Sequence, residues 1–298
     1  MDPMRLRLLR ELGDRGSVSA VAAALHVSAS AVSQQLAILQ ASVGVPLTMK
    51  QGRTLVLTDA GRALAAAGTR VEEALVLARE SVDAFLAHDA APVRVSAFHS
   101  AGVALFGALL RSVGGDAVAL SDADVARDEF VGLTADHDLV IAHRLAHDPA
   151  WPTERIVATS LFVEPLDIAL AADHPLAAST ALTPADLRGE RWISTHDGFP
   201  LTGVLQTVAA LSGAEPVIGH RVNEFYVAAQ IVRAGAAIAV MPRITGRALA
   251  VDGMVLRPLA GATLSRHVDV LARPDSLARS AVRRVRGALV DVAADLAR

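Results

Sequence analysis

The chain has 298 residues, 52% of them hydrophobic and 20% charged, which suggests about two domains with buried cores and excludes a disordered polymer. It has no cysteine, which excludes a disulfide framework, a thiolate-ligated metal site and a catalytic thiol. Its 28 basic and 31 acidic residues give a formal charge of −3, a total that by itself does not point to nucleic acid. The first residues lack a cationic segment followed by an apolar one, so no secretory leader is expected. The apolar runs are interrupted by Arg111 and Arg233, well short of the roughly 20 residues of a membrane span. The expected location is the cytoplasm, with no membrane partner.

In chain order, Met4, Leu8 and Leu12, with Leu9 beside them, form the apolar stripe of a first helix that ends near Gly13 and Gly16. Ser19 is expected to cap a short helix, Ala20 to Leu25, and His26-Val27 to make a tight turn. Ser28 caps a third helix that runs to about Ser42 and is closed by Gly44. Val32, Leu36 and Leu39 fall on its buried face, while Ser30, Ser33, Gln34 and Ala37 fall on the opposite one, with Gln35 beside them. This is a helix-turn-helix pattern whose small polar residues suit contact with base edges. The same periodicity also fits an ordinary three-helix unit with a solvated face. Pro46 to Thr58 then reads as a β-hairpin with Gly52 at its turn, a wing that places Lys50 and Arg53 near phosphates or the minor groove. The candidate DNA contacts are Ser28, Ser30, Ser33, Gln34, Gln35, Lys50 and Arg53. Residues 1–58 carry six basic and three acidic side chains, a net +3, and the other 240 residues carry −6. A basic head on an acidic body fits a DNA-binding module joined to something else.

Ser17 to Ser28, Ala31-Val32-Ser33-Gln34-Gln35-Leu36, Leu39, Gly44-Val45-Pro46-Leu47 and Leu57-Thr58-Asp59-Ala60-Gly61 together resemble the signature of the LysR-type transcriptional regulators. The anchors span most of the first 61 residues in the family's order and spacing. The chain departs from that pattern at Ala29-Ser30, where the family usually has Gln-Pro, and at Gln40, where it has Glu. It departs again at Thr48-Met49-Lys50, where the family has Phe-x-Arg. The resemblance implies a homodimer or homotetramer that binds double-stranded operator DNA under the control of a small-molecule effector.

Thr58 is expected to cap a long linker helix from Asp59 to Ala87. Leu64, Gly68, Val71, Leu75, Ala78, Val82 and Phe85 repeat at alternating spacings of four and three, the seam of a coiled coil. The alternative is a helix lying on its own domain. In the resembling family this helix pairs with a second copy. Residues 88–92 read as a hinge.

Beyond the hinge, strands and helices alternate from Val93 to the terminal helix Ser276 to Leu296, an α/β pattern. Ala172-Asp173-His174-Pro175-Leu176-Ala177, Leu182 with Ala185-Asp186-Leu187, and Val232 to Pro242 extend the family resemblance. They imply a two-lobed effector domain like that of periplasmic binding proteins. The expected organisation is a winged helix-turn-helix at 1–58, a linker helix at 59–87 and an effector domain at 92–298. One lobe comprises 92–163 and 265–298, the other 164–264. Strand C-termini and helix N-termini at the interlobe cleft select His99, Ser100, His143, Thr195, His196, Phe225 and Tyr226 as candidate effector contacts. Capping or core packing is the competing role for each. This composition suits a small organic anion or amide.

His143 and His147 have the spacing of a helical metal pair, but Arg144 lies beside them and the glutamate of a zinc-protease motif is missing. Nucleophile-elbow, phosphate-loop and dinucleotide motifs are absent from the sequence, so no catalytic residue, metal or cofactor is expected. The reading is an effector-controlled DNA-binding regulator. A solute-binding protein with an accessory helical head is the alternative, and an enzyme using the cleft histidines is a more distant one.

Overall fold

Three helices open the computed structural model, which describes residues 1–51, 54–86, 91–196, 199, 202–247 and 252–298. They are α1 (Pro3–Arg15), α2 (Val18–Ala24) and α3 (Ala29–Val43). Asp2, Ser17 and Ser28 cap them, each side chain accepting a backbone N–H of the first turn, worth about 1 kcal/mol apiece. The cap of α2 is therefore Ser17 and not Ser19, which lies inside the helix. Gly16 and Gly44 close α1 and α3 in the left-handed conformation. The core of this head joins Leu6, Leu9, Leu12, Val32, Leu36 and Leu39. Met4 is instead 55% exposed, because the buried stripe of α1 is centred on Leu9.

Strands β1 (Thr48–Gln51) and β2 (Thr54–Leu57) pair antiparallel, Thr48 opposite Leu57. Helix α4 (Asp59–Leu86) follows. Thr58 accepts from Gly61 N–H at 3.0 Å and donates to the Pro46 carbonyl at 2.7 Å, so one hydroxyl both caps α4 and ties it to the wing. A side chain at position 61 would collide with the Leu47 carbonyl, which explains the glycine there.

The rest of the chain is built on a seven-stranded mixed sheet and a separate two-stranded parallel sheet. Strands β3 (Val93–Ala97), β4 (Val118–Asp122) and β5 (Leu139–Leu145) run parallel, with β3 between the other two. Helix α5 (His99–Val113) joins β3 to β4, and the short α6 (Glu129–Leu133) precedes β5. A single long strand, β6 (Val157–Ala171), runs across the lobe boundary expected at 163–164. After it come β7 (Arg191–Ser194), α7 (Thr202–Ser212), β8 (Val217–Arg221), α8 (Phe225–Arg233), β9 (Ala239–Pro242), β10 (Met254–Arg257) and β11 (Ser265–Ala272). The first half of β6 pairs with β11 and the second half with β9 and β10, so it changes partners at Glu164-Pro165. Proline has no N–H to donate; its carbonyl accepts from Arg243 N–H at 2.9 Å. Separate cores flank that exchange, one including Val95, Leu105, Ile141, Val270 and Leu289, the other including Leu166, Ile168, Trp192 and Val208. The terminal helix is split into α9 (Pro274–Ala278) and α10 (Ser280–Ala297) at Arg279, whose backbone is extended.

Candidate nucleic-acid interface and effector cleft

Ser30, Ser33 and Gln34 are exposed on α3, opposite the buried Val32, Leu36 and Leu39. Ser28 is occupied as a cap, accepting from Ala31 N–H and bonding Ser30 Oγ at 3.0 Å. Gln35 is half-buried and accepts from Arg5 Nε at 2.9 Å, which ties α3 to α1. Lys50 is exposed on the wing; Arg53 lies outside the described residues. Gln40 Oε1 accepts from Leu47 N–H at 2.9 Å, so the family's glutamate is replaced by a side chain that offers the carbonyl acceptor this bond uses.

The charge of the head is only partly directed outward. Arg10 reaches Glu72 at 2.9 Å and Asp275 at 3.0 Å, and Arg15 reaches Glu11 and Asp136 at 2.8 Å each. Glu11 in turn accepts from Arg273 at 3.3 Å. A buried ion network thus joins α1 to α4 and to the effector domain. Leu64 packs into the head core and Gly68 lies against Leu6, so the start of the linker seam covers its own head. Val71, Leu75, Ala78 and Val82 are exposed, and the Phe85 side chain lies outside what is described.

In the effector domain, a small cavity of about 30 Å³ is lined by His99, Ser100, His143, Thr195 and Phe225. Asp124, Asn223, Glu224 and Arg266 line it too. His196 and Tyr226 lie beside it without lining it: the His196 N–H bonds Asn223 Oδ1 at 2.8 Å, and the Tyr226 N–H bonds its capping residue Glu224 at 2.9 Å. Tyr226 opens the first turn of α8 and is 42% exposed. His99 spans the cleft, with Nε2 3.1 Å from Glu224 and Nδ1 3.5 Å from Asp122. Asp124 accepts from the His99 N–H at 2.9 Å. Carboxylates therefore dominate the rim.

Beneath the rim lies a buried polar cluster. Arg266 and Glu164 pair at 2.7 Å and are 1% and 0% exposed at the side chain. Glu164 also accepts the Ile244 N–H at 3.0 Å and the Thr245 hydroxyl at 3.2 Å. Arg266 donates to Ser100 Oγ at 3.2 Å and stacks over Phe98. The hydroxyl of Ser100 is thus held by Arg266 and Thr245, and Ser100 also lines the cavity. Sequence reasoning placed the crossover at Glu164 without assigning it a partner 102 residues away.

His143 lies within β5, so its spacing to His147 is not helical. Its ring meets Phe98 and Phe130 edge-on, and its Nδ1 has no hydrogen-bond partner. Burial, assisted by the charge of Arg266, holds its pKa well below the ordinary value. An unfolded histidine takes up a proton below about pH 6.5, whereas the folded one stays neutral. Stability is therefore fully present above that pH and falls below it, by about 1.4 kcal/mol per unit for one proton. Denaturation midpoints measured from pH 7 to pH 5 check this: His143→Leu removes that component of the slope, and an unchanged slope contradicts it.

Family comparison connects the two sites. The LysR substrate binding domain matches residues 87–294, and the bacterial regulatory helix-turn-helix protein, lysR family, matches residues 4–62. The chain belongs to the LysR family of transcriptional regulators. The small neutral protease regulatory protein of Streptomyces coelicolor is 30% identical over 283 residues, covering 90% of this chain and 85% of that one. A full-length OxyR variant from Pseudomonas aeruginosa superposes with a TM-score of 0.65 at 19% identity, covering 98% of this chain and 94% of that one. CbnR complexed with its target DNA gives 0.52 at 23% identity, covering 96% and 100%. This LysR regulator shares their fold. These findings support the regulator and not a solute-binding protein. Among the described residues no single helix is long and apolar enough to cross a membrane.

Proposed function

We propose that this LysR-family regulator reads its operator with Ser33 and Gln34, and with Ser30 at the start of α3, while Lys50 and Arg53 hold phosphates. The observation that carries the reading is the outer face of α3: short polar side chains stand exposed on a helix anchored behind by Val32, Leu36 and Leu39. Short side chains let a helix approach the groove floor, and the glutamine offers a donor and an acceptor to one base. Gln34→Ala is expected to weaken binding to the specific site about tenfold while leaving random DNA nearly unaffected. Lys50→Gln is expected to weaken both and to lower the salt slope by about 1. Anisotropy titrations on the two DNAs separate these outcomes; equal loss on both for Gln34→Ala contradicts the reading.

The division proposed is a head at 1–58, a linker helix at 59–87 and an effector domain at 92–298, with lobes exchanging at Glu164 and Ser265. Val71, Leu75, Ala78 and Val82 form the seam of a homodimer, and such dimers pair into a tetramer. The protein acts where its DNA lies, in the cytoplasm, as a regulator and not a catalyst. The effector enters between the lobes and contacts Ser100, Thr195 and Phe225. A cavity of about 30 Å³ holds little more than a water, so binding requires the lobes to part and the His99–Glu224 contact to break. The carboxylates of Asp124 and Glu224 favour an effector that presents a hydrogen-bond donor there, so of the two classes that composition suits, the amide fits this rim better than the organic anion. Its differential affinity for the open and closed lobes is what moves the heads.

A further inference from the structure

A cavity of about 300 Å³ lies where α1, β2, α4 and the segment before β6 meet, bordering both the head and the effector domain. That volume reaches the range of small-molecule sites, roughly 300–1,000 Å³. Leu12, Leu55, Leu57 and Ala66 supply apolar walls. Four guanidinium groups line it, Arg10, Arg62, Arg155 and Arg273, against two carboxylates, Asp14 and Glu154. Three acids that balance Arg10 and Arg273, namely Glu11, Glu72 and Asp275, are not among its lining residues. The lining thus carries more guanidinium than carboxylate, with Arg155 held by Asp14 and Arg62 by Asp59.

We propose that this junction is a second ligand site, for a small amphipathic anion. Its apolar body rests on Leu12, Leu55 and Leu57, and its carboxylate or sulfonate engages Arg155 and Arg62. Arg155 bonds the Gly13 carbonyl and Asp14 through Nη2 alone, and Arg guanidinium takes anions bidentately. Burial pushes the Asp14 carboxyl up despite its contact with Arg155, so a ligand anion competes with a carboxylate that is already costly to keep charged. Because the walls come from the head, the linker and the effector domain, the ligand binds only the docked arrangement and holds the head there. This inference is independent of the effector reading of the cleft.

The test uses 8-anilinonaphthalene-1-sulfonate as a fluorescent probe and octanoate as competitor, on the full-length chain. Expected are one saturable probe per chain, displacement by octanoate, and about tenfold weaker binding in Arg155→Gln. Ala66→Phe, which fills the cavity, is expected to abolish binding. Arg155 is 46% exposed at the side chain, so Arg155→Gln folds and decides the matter even if Ala66→Phe does not. Absence of saturable binding, or equal affinity in the parent and Arg155→Gln, overturns the proposal.

Discussion

Glu164→Ala is expected to lower the melting temperature of the effector domain by about 10 °C. The substitution strands Arg266, which is 1% exposed at the side chain, and leaves the Ile244 and Thr245 N–H groups without the carboxylate that accepts them at 3.0 and 2.5 Å. Removing one partner of a buried ion pair costs about 3–5 kcal/mol, and each kcal/mol shifts melting by roughly 2–4 °C at this size. The loss comes mostly from the uncompensated charge and not from the attraction of the pair. Glu164→Leu combined with Arg266→Met is therefore expected to recover the part due to the stranded charge, while the Ile244 and Thr245 N–H groups stay without an acceptor. Thermal and urea melts of the three proteins check both statements; a loss below about 1 kcal/mol in Glu164→Ala contradicts the first. The pair lies where β6 changes partners, so the same variant is expected to loosen the lobes around the cleft.

Leu75→Asp is expected to produce a monomer that binds its operator at least about a hundredfold more weakly, the smaller end of what linking two binding modules supplies. Leu75 is 46% exposed on α4 and Val82 56%. Neither is needed by the head core, which uses Leu64 and Ala65 of this helix. An aspartate there leaves each chain folded and puts two unpaired charges into the proposed seam. Two-fold operators are read by paired heads, so loss of the dimer removes one half-site per complex. Sedimentation and anisotropy on the same samples measure both effects. A monomer with parental operator affinity contradicts the proposal.

The head was legible because its signals are local. Ser28, Gly44 and the periodicity of α3 all act within a few residues of themselves. The alternation of strands and helices was legible for the same reason. Three kinds of feature were not. The continuity of β6 was hidden by Glu164-Pro165, which reads as a break but is the point where the strand exchanges neighbours. The tie of Gln35 to Arg5 was not visible because periodicity gives a face, whereas a residue on another helix decides what that face touches. The docking of α1 on the effector domain was invisible, since Arg10 and Asp275 are 265 residues apart and charge counting assigns both to bulk totals. The +3 of the head is thus partly committed to its own body through Arg10 and Arg15, and the charge left for DNA is smaller than the count implies.

The central claim is that this chain is a sequence-specific DNA-binding regulator whose head contacts phosphates and base edges. Binding to the DNA upstream of its own gene, titrated across a salt series with random DNA as reference, tests it most directly. Expected is a specific complex whose affinity falls steeply and linearly in log–log form with salt, with a margin over random DNA that Gln34→Ala reduces. Failure to form any specific complex on that DNA, at any salt concentration, would contradict it.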